Sequence, residues 1–175
     1  EVQCGIGRTG RFFAYQEAGI EPDAIGMAKG LGAGFPIGAL WIANAYAPLF
    51  KPGSHGTTFG GNPLASAAAL AVLEVIEADN LLEQVTLQSA CLMARLNNLM
   101  TSHAGVVRTI RGKGYMIGIA LEDSQDHIAV VAALRKNGLL TAPAGGKVVR
   151  LLPPLTASMN ELNEAAEIVE TTLRD

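Results

Sequence analysis

Lys29 is a lone amine in the run Asp23-Ala24-Ile25-Gly26-Met27-Ala28-Lys29-Gly30-Leu31-Gly32, apolar on its N-terminal side and glycine-rich on its C-terminal side. Desolvation disfavours the charged form of a lysine, so an apolar setting holds more free amine to attack a carbonyl and form a Schiff base. A snorkelling lysine at a helix end would carry the same local sequence. Two further patterns could handle anions. Gly53-Ser54-His55-Gly56-Thr57-Thr58-Phe59-Gly60-Gly61-Asn62-Pro63 sets two hydroxyls and several unencumbered amides ahead of a helix N-terminus, where a phosphate is favoured, although an ordinary loop would read the same way. Arg150 interrupts the apolar run Val148-Val149-Arg150-Leu151-Leu152 before Pro153-Pro154. Its guanidinium either pairs a buried carboxylate of the protein or holds a substrate carboxylate through two parallel hydrogen bonds. Gly5-Ile6-Gly7-Arg8-Thr9-Gly10 fits the G-x-G-x-x-G dinucleotide pattern with Asp23 downstream. Only a short stub precedes it and only the brief segment Phe12 to Ala18 follows, so a structural glycine turn is the better reading.

These residues need elements to hold them. From Gly5 to about Asn62, short apolar runs such as Ile37-Gly38-Ala39-Leu40-Trp41-Ile42 alternate with Gly and Pro, as strands feeding loops do. Asn62-Pro63 offers an N-cap and a proline at the first helical position, opening a helix whose small residues Ala65 to Ala71 must pack closely on a partner. Val85, Leu92, Leu96 and Leu99 recur at helical spacing and predict a second helix from about Asn80 to Met100. The rhythm then changes. Val106 to Ile110 and Tyr115 to Leu121 read as strands joined by Arg111-Gly112-Lys113-Gly114, followed by a helix near Ile128 to Lys136 that stops at Gly138. A short strand is expected at Leu139-Leu140 and another at Val148 to Leu152. Ser158-Met159-Asn160-Glu161 is a capping box for a last helix with Leu162, Ala166, Val169 and Leu173 on one face.

The chain has 175 residues, 49% hydrophobic and 17% charged, which predicts a well-cored globular protein. A formal charge of −3 without any Lys/Arg run argues against nucleic-acid or anionic-membrane partners and leaves small-molecule ligands. Cys4 and Cys91 form no CxxC pair, and His55, His103 and His127 fall in no ligand spacing, so reduced thiols, a cytoplasmic location and no metal are expected. The longest apolar stretch, Phe35 to Phe50, is broken by Pro36 and Pro48 and is too short for a membrane span. Glu1-Val2-Gln3-Cys4 reads as the tail of a strand entering a glycine loop, as though cut from a longer chain.

Glu1-Val2-Gln3, Gly7-Arg8-Thr9-Gly10, Ala28-Lys29-Gly30-Leu31-Gly32, Thr57-Thr58-Phe59-Gly60-Gly61-Asn62-Pro63, Arg111-Gly112-Lys113-Gly114 and Arg150-Leu151-Leu152-Pro153-Pro154-Leu155 together resemble, in order and spacing, the class III pyridoxal-phosphate aminotransferases. The resemblance runs essentially end to end. It implies an α/β fold of the fold-type I transferases, with residues 1–79 as the end of the large cofactor domain and residues 80–175 as the small α+β C-terminal domain. Lys29 matches the lysine that bonds the cofactor aldehyde and shuttles a proton. Val2 matches the residue packed on the pyridine face and Gln3 the amide near the ring hydroxyl, with Glu1 in the same cofactor-lining segment. Thr58 matches the residue that reaches the cofactor phosphate of the neighbouring subunit, which implies a homodimer, and Thr57 matches a substrate contact. Arg150 matches the arginine that clamps the carboxylate of glutamate or 2-oxoglutarate.

Leu140-Thr141-Ala142-Pro143-Ala144-Gly145 looks most like the members that move the terminal amine of N-acetylornithine to 2-oxoglutarate in arginine biosynthesis. Action on ornithine, succinylornithine or 4-aminobutyrate is the alternative, and a non-catalytic nucleotide-binding or interaction module is the rival from another class. The family's aspartate partner of the pyridine nitrogen would stand directly before Glu1, with the upstream phosphate loop, stacking aromatic and second substrate arginine ahead of it. The 175-residue chain is therefore expected to be the C-terminal half of the family's architecture and inert by itself.

Overall fold

The computed structural model describes residues 1–174, which fall into two compact units, Glu1–Glu83 and Gln84–Asp175. The division lies in the first turn of a helix, a few residues beyond the boundary at residue 79 expected from sequence.

The first unit is built from short pieces. Helix α1 (Tyr15–Ala18) ends at Gly19, and strands β1 (Ala24–Met27) and β2 (Ala39–Ile42) pair antiparallel, Ile25 opposite Trp41 and Gly26 opposite Leu40. A 3₁₀ turn, Lys29–Gly32, follows β1 directly. Helix α2 (Pro63–Ala78) begins as the sequence requires: Asn62 stays extended and its side chain accepts the N–H of Ala65 at 3.0 Å, while Pro63 fills a first-turn position where no donor is needed. Ala65, Ala69 and Ile76 form its buried stripe, and α2 packs on the 3₁₀ turn that carries Lys29. Glu1 to Cys4 form a turn rather than the tail of a strand. A strand needs a ladder partner, and here the N–H of Gly5 closes back on the carbonyl of Glu1 at 3.0 Å.

The second unit is an antiparallel sheet of four strands with helices on one face. Its elements are α3 (Leu81–Asn97), α4 (Leu99–Ser102), β3 (Val107–Lys113), β4 (Met116–Leu121), α5 (His127–Lys136), β5 (Ala142–Ala144), β6 (Val148–Leu151) and α6 (Met159–Thr172). The sheet order is β3-β4-β6-β5. Period-two alternation sends Ile110, Ile117, Ile119, Leu121, Val149 and Leu151 to the helix side, where they meet Val85, Leu92, Leu96, Val131, Leu134, Leu162 and Val169. Tyr115, fully buried at the β3–β4 turn, donates its hydroxyl to Gln88 Oε1 at 2.9 Å. Asp126 caps α5 through the N–H groups of Ile128 and Ala129, and both bonds of the Ser158–Glu161 capping box are formed. The expected strand at Leu139-Leu140 lies instead at Ala142–Ala144, because the N–H of Leu139 bonds the carbonyl of Leu134 and finishes α5. The Arg111-Gly112-Lys113 connection is itself strand, so the β3–β4 turn is tighter than predicted.

No helix among the described residues is long and apolar enough to cross a membrane, and no group of three or more His, Cys, Asp or Glu among them could hold a metal ion.

Candidate active site

Lys29 opens the 3₁₀ turn with φ 48°, a left-handed conformation that side-chain-bearing residues adopt infrequently and that often marks functional sites. Ala28 before it is fully extended, so the chain leaves β1 and turns sharply at the lysine. Two surfaces brace this turn. Gly30 lies against Ile6, whose Cβ is 3.5 Å from where a Cβ on that glycine would sit, and α2 packs on the turn as a whole. Leu31 and Gly32 are buried, while Lys29 itself is exposed. The apolar setting inferred from sequence is thus a wall on one side of the lysine, formed by the residues that flank it, and does not enclose the amine.

The Gly5–Gly10 segment is a chain of turns, with the N–H of Gly10 on the carbonyl of Gly7 at 3.0 Å and that of Gly7 on Phe12 at 3.3 Å. It enters only the one-turn helix α1, and β1 and β2 are antiparallel, so the βαβ setting of a dinucleotide site is absent from the described residues. Glu1 has a role that sequence did not reveal. Its carboxylate accepts the N–H groups of Ala14 and Tyr15 at 3.1 and 3.0 Å and so ties the far side of the glycine loop to the start of the chain. Val2, 44% exposed, and Gln3, also exposed, stand beside it. Thr9 is buried in the same loop with its hydroxyl lacking any hydrogen-bond partner among the described residues.

Thr57 and Thr58 lie exposed in the turn that leads to Asn62. They therefore stand just ahead of the N-terminus of the helix that braces the Lys29 turn, and hydroxyls, free amides and the helix dipole there form a setting suited to a phosphate. The exposed amine on the turn braced by that helix fits the aldehyde of pyridoxal phosphate, and the apolar Val2 and the amide of Gln3 fit its ring. Arg150 belongs to the second unit. It is half-buried on β6, with Nε sealed from solvent, opposite Gly118 of β4 and Ala142 of β5.

The profile of the family described as Aminotransferase class-III matches residues 1–173. The chain belongs to the class III aminotransferases. The class is pyridoxal-phosphate-dependent, and the α/β architecture is that of the C-terminal part of its members. The chain is 47% identical over 170 residues to an acetylornithine aminotransferase of Gloeobacter violaceus, covering 97% of this chain and 42% of that protein. Among solved structures it is similar to the acetylornithine aminotransferase of Elizabethkingia anophelis, with TM-score 0.92, 35% identity, and coverage of 99% of this chain and 44% of that one. The ornithine δ-aminotransferase of Plasmodium falciparum is equally similar, with TM-score 0.93, 35% identity and coverage of 99% and 44%. The chain thus spans less than half the length of the class III aminotransferases it matches.

Proposed function

We propose that this chain forms part of an aminotransferase that moves the terminal amino group of N-acetylornithine to 2-oxoglutarate, giving glutamate, in cytoplasmic arginine biosynthesis. The observation that carries the reading is Lys29, exposed on a left-handed turn between a glycine loop and α2, in a class III chain 47% identical to an acetylornithine aminotransferase. When bound, pyridoxal phosphate supplies an aldehyde that takes up the amine and a conjugated ring that spreads negative charge from the substrate carbon. Lys29 would hold the cofactor through its ε-amine and would move the proton at the reacting carbon. The left-handed backbone fixes the direction from which the amine approaches, and the Ile6 and α2 contacts keep that direction constant. Val2 would pack on the pyridine ring, Gln3 would hydrogen-bond near its hydroxyl, and Thr58 would hold the phosphate of the cofactor bound by the neighbouring subunit of a homodimer. Thr57 contacts substrate. Glu1 belongs to the same cofactor-lining segment and ties it to the glycine loop through its carboxylate. Arg150, planar and permanently charged, grips the acceptor's carboxylate in a bidentate pair.

The test uses a polypeptide of the relatives' full length that carries this chain. Borohydride reduction followed by peptide mapping places a pyridoxyl mass on Lys29, and Lys29→Ala removes it. An unmodified Lys29 in protein saturated with pyridoxal phosphate overturns the reading. Ornithine as amino donor is the second reading, favoured by the likeness to ornithine δ-aminotransferase at TM-score 0.93. Comparison of kcat/KM for N-acetylornithine, ornithine and 4-aminobutyrate separates the two.

A further inference from the structure

Asn137-Gly138 is the one Asn-Gly step in the chain, and it closes α5. An asparagine before glycine can react with its own backbone, because glycine has no side chain to keep the Asn137 carboxamide away from the next amide nitrogen. The Gly138 nitrogen, once its proton is lost to solvent base, bonds to Asn137 Cγ, and the side-chain nitrogen departs as ammonia to leave a cyclic imide. Water then opens the ring at either carbonyl. The products are aspartate and isoaspartate, and in the second the backbone runs through the side chain and gains a methylene.

Hydrogen bonds hold the reacting groups apart in the fold. Asn137 Nδ2 donates at 2.8 Å to the hydroxyl of Thr172, the last residue of α6, which is only 9% exposed. The Gly138 N–H is given to the Arg135 carbonyl at 3.1 Å, and Asn137 keeps a near-helical backbone at φ −86° and ψ 9°. Asn137 and Gly138 are themselves exposed, so solvent reaches both. What restrains the reaction is therefore the way the groups are tied rather than any cover over them. The consequence would travel along the chain. The Leu139 N–H finishes α5 on the Leu134 carbonyl at 2.9 Å and leads into β5, whose Ala142 stands opposite Arg150. An added methylene between positions 137 and 138 lengthens that connection and draws the Leu139 N–H away from Leu134.

We infer that Asn137-Gly138 is a self-modification site, and that the Thr172 hydrogen bond between the ends of α5 and α6 sets its rate. Ring closure requires Asn137 to leave Thr172, so the docking of the two helices guards a slow conversion of this turn to aspartate and isoaspartate. Both residues lie in the second unit and the chemistry consumes only water, so the step proceeds whether or not a cofactor is bound.

The test is a timed incubation, at mildly alkaline pH, of a polypeptide of the relatives' full length that carries this chain. Peptide mapping follows the amide-to-acid mass gain at Asn137, and an isoaspartate-specific methyltransferase reports the rearranged product. T172V keeps the shape of the side chain and removes the acceptor, and it raises the native rate at Asn137 by about fivefold, the factor that an ordinary net hydrogen bond contributes. T172S restores the oxygen and with it the wild-type rate, which separates a lost bond from lost packing. N137Q abolishes the signal, because its side chain is a methylene longer and cyclises far more slowly. In urea, wild type and T172V react alike, since the guard is gone in both. The isoaspartyl form shows faster hydrogen exchange at Leu139. Equal native rates in wild type and T172V, a T172S rate that matches T172V, or earlier modification at another asparagine overturns the inference.

Discussion

Gly112 gives the sharpest test of how the arginine-bearing hairpin is held. It sits in β3 at φ 152°, opposite Ile117, and a Cβ placed there would lie 2.8 Å from Ile117 Cα and closer still to the Met116 carbonyl oxygen. Both atoms are backbone of the neighbouring strand, so no rotamer change relieves the clash. Gly112→Ala must push β4 away from β3 or abandon the left-handed backbone. Backbone strain of about 1–3 kcal/mol and overpacking of about 1–3 kcal/mol act together, and partial relaxation leaves a destabilisation of about 2–4 kcal/mol. In urea, with a slope of about 1–3 kcal/mol/M for a small domain, the midpoint for Gln84–Asp175 falls by roughly 1–2 M. Gly138→Ala is the internal control. Gly138 also has a positive φ, 94°, but nothing lies within 4 Å of the added methyl, so only the strain of about 1 kcal/mol remains. Equal midpoints for the two variants, or a Gly112→Ala midpoint matching wild type, would refute the close-approach argument.

Other outcomes follow from single contacts. Asn62→Ala removes the acceptor for the Ala65 N–H and costs α2 about 1 kcal/mol, read as a lower urea midpoint and as faster hydrogen exchange in the first turn. Leu96→Ala opens a cavity in the core of the second unit and costs about 2–5 kcal/mol in the same assay. The hydrogen bonds from the Ser158 backbone and side chain hold the Glu161 carboxyl below its ordinary value of 4.5. A depressed folded-state value stabilises the fold above the ordinary carboxylate range, and that stabilisation is lost as pH falls through the depressed value. Urea midpoints measured from neutral to acidic pH therefore fall less steeply in Glu161→Gln than in wild type, and superimposable slopes would contradict the capping-box assignment.

Much of this fold was written in local chemistry. Asn62-Pro63 and Ser158-Met159-Asn160-Glu161 specify helix starts because the capping groups lie within three residues of the donors they satisfy, and both starts form as read. Val85, Leu92, Leu96 and Leu99 are all buried, as their spacing required, although α3 stops at Asn97 where the N–H of Asn98 turns to Arg95 in a 3₁₀ bond before α4 resumes. Local chemistry failed where two elements compete for one group. Leu139 looked like strand by composition, but its N–H is taken by the end of α5, and the ladder passes to Ala142–Ala144, where Pro143 is tolerated because β5 is an edge strand. Glu1 carries a second duty that sequence does not show, since Ala14 and Tyr15 bring their amides to its carboxylate from thirteen and fourteen residues away.

The candidate site divides along the same line. Lys29 stands out in sequence because the chemistry and the loosened backbone are contiguous, yet its left-handed φ depends on Ile6 and α2, which no short window contains. Arg150 stands out because it interrupts an apolar strand. Which face it occupies is set by the pairing of β4 with β6, where Arg150 stands opposite Gly118. A shift of one residue in that pairing would send Arg150 to the helix side, where burying an unpaired charge in the apolar core is prohibitive. Ile119 and Val149, paired across the same two strands and buried in the core, hold the register and with it the side of the sheet from which Arg150 acts.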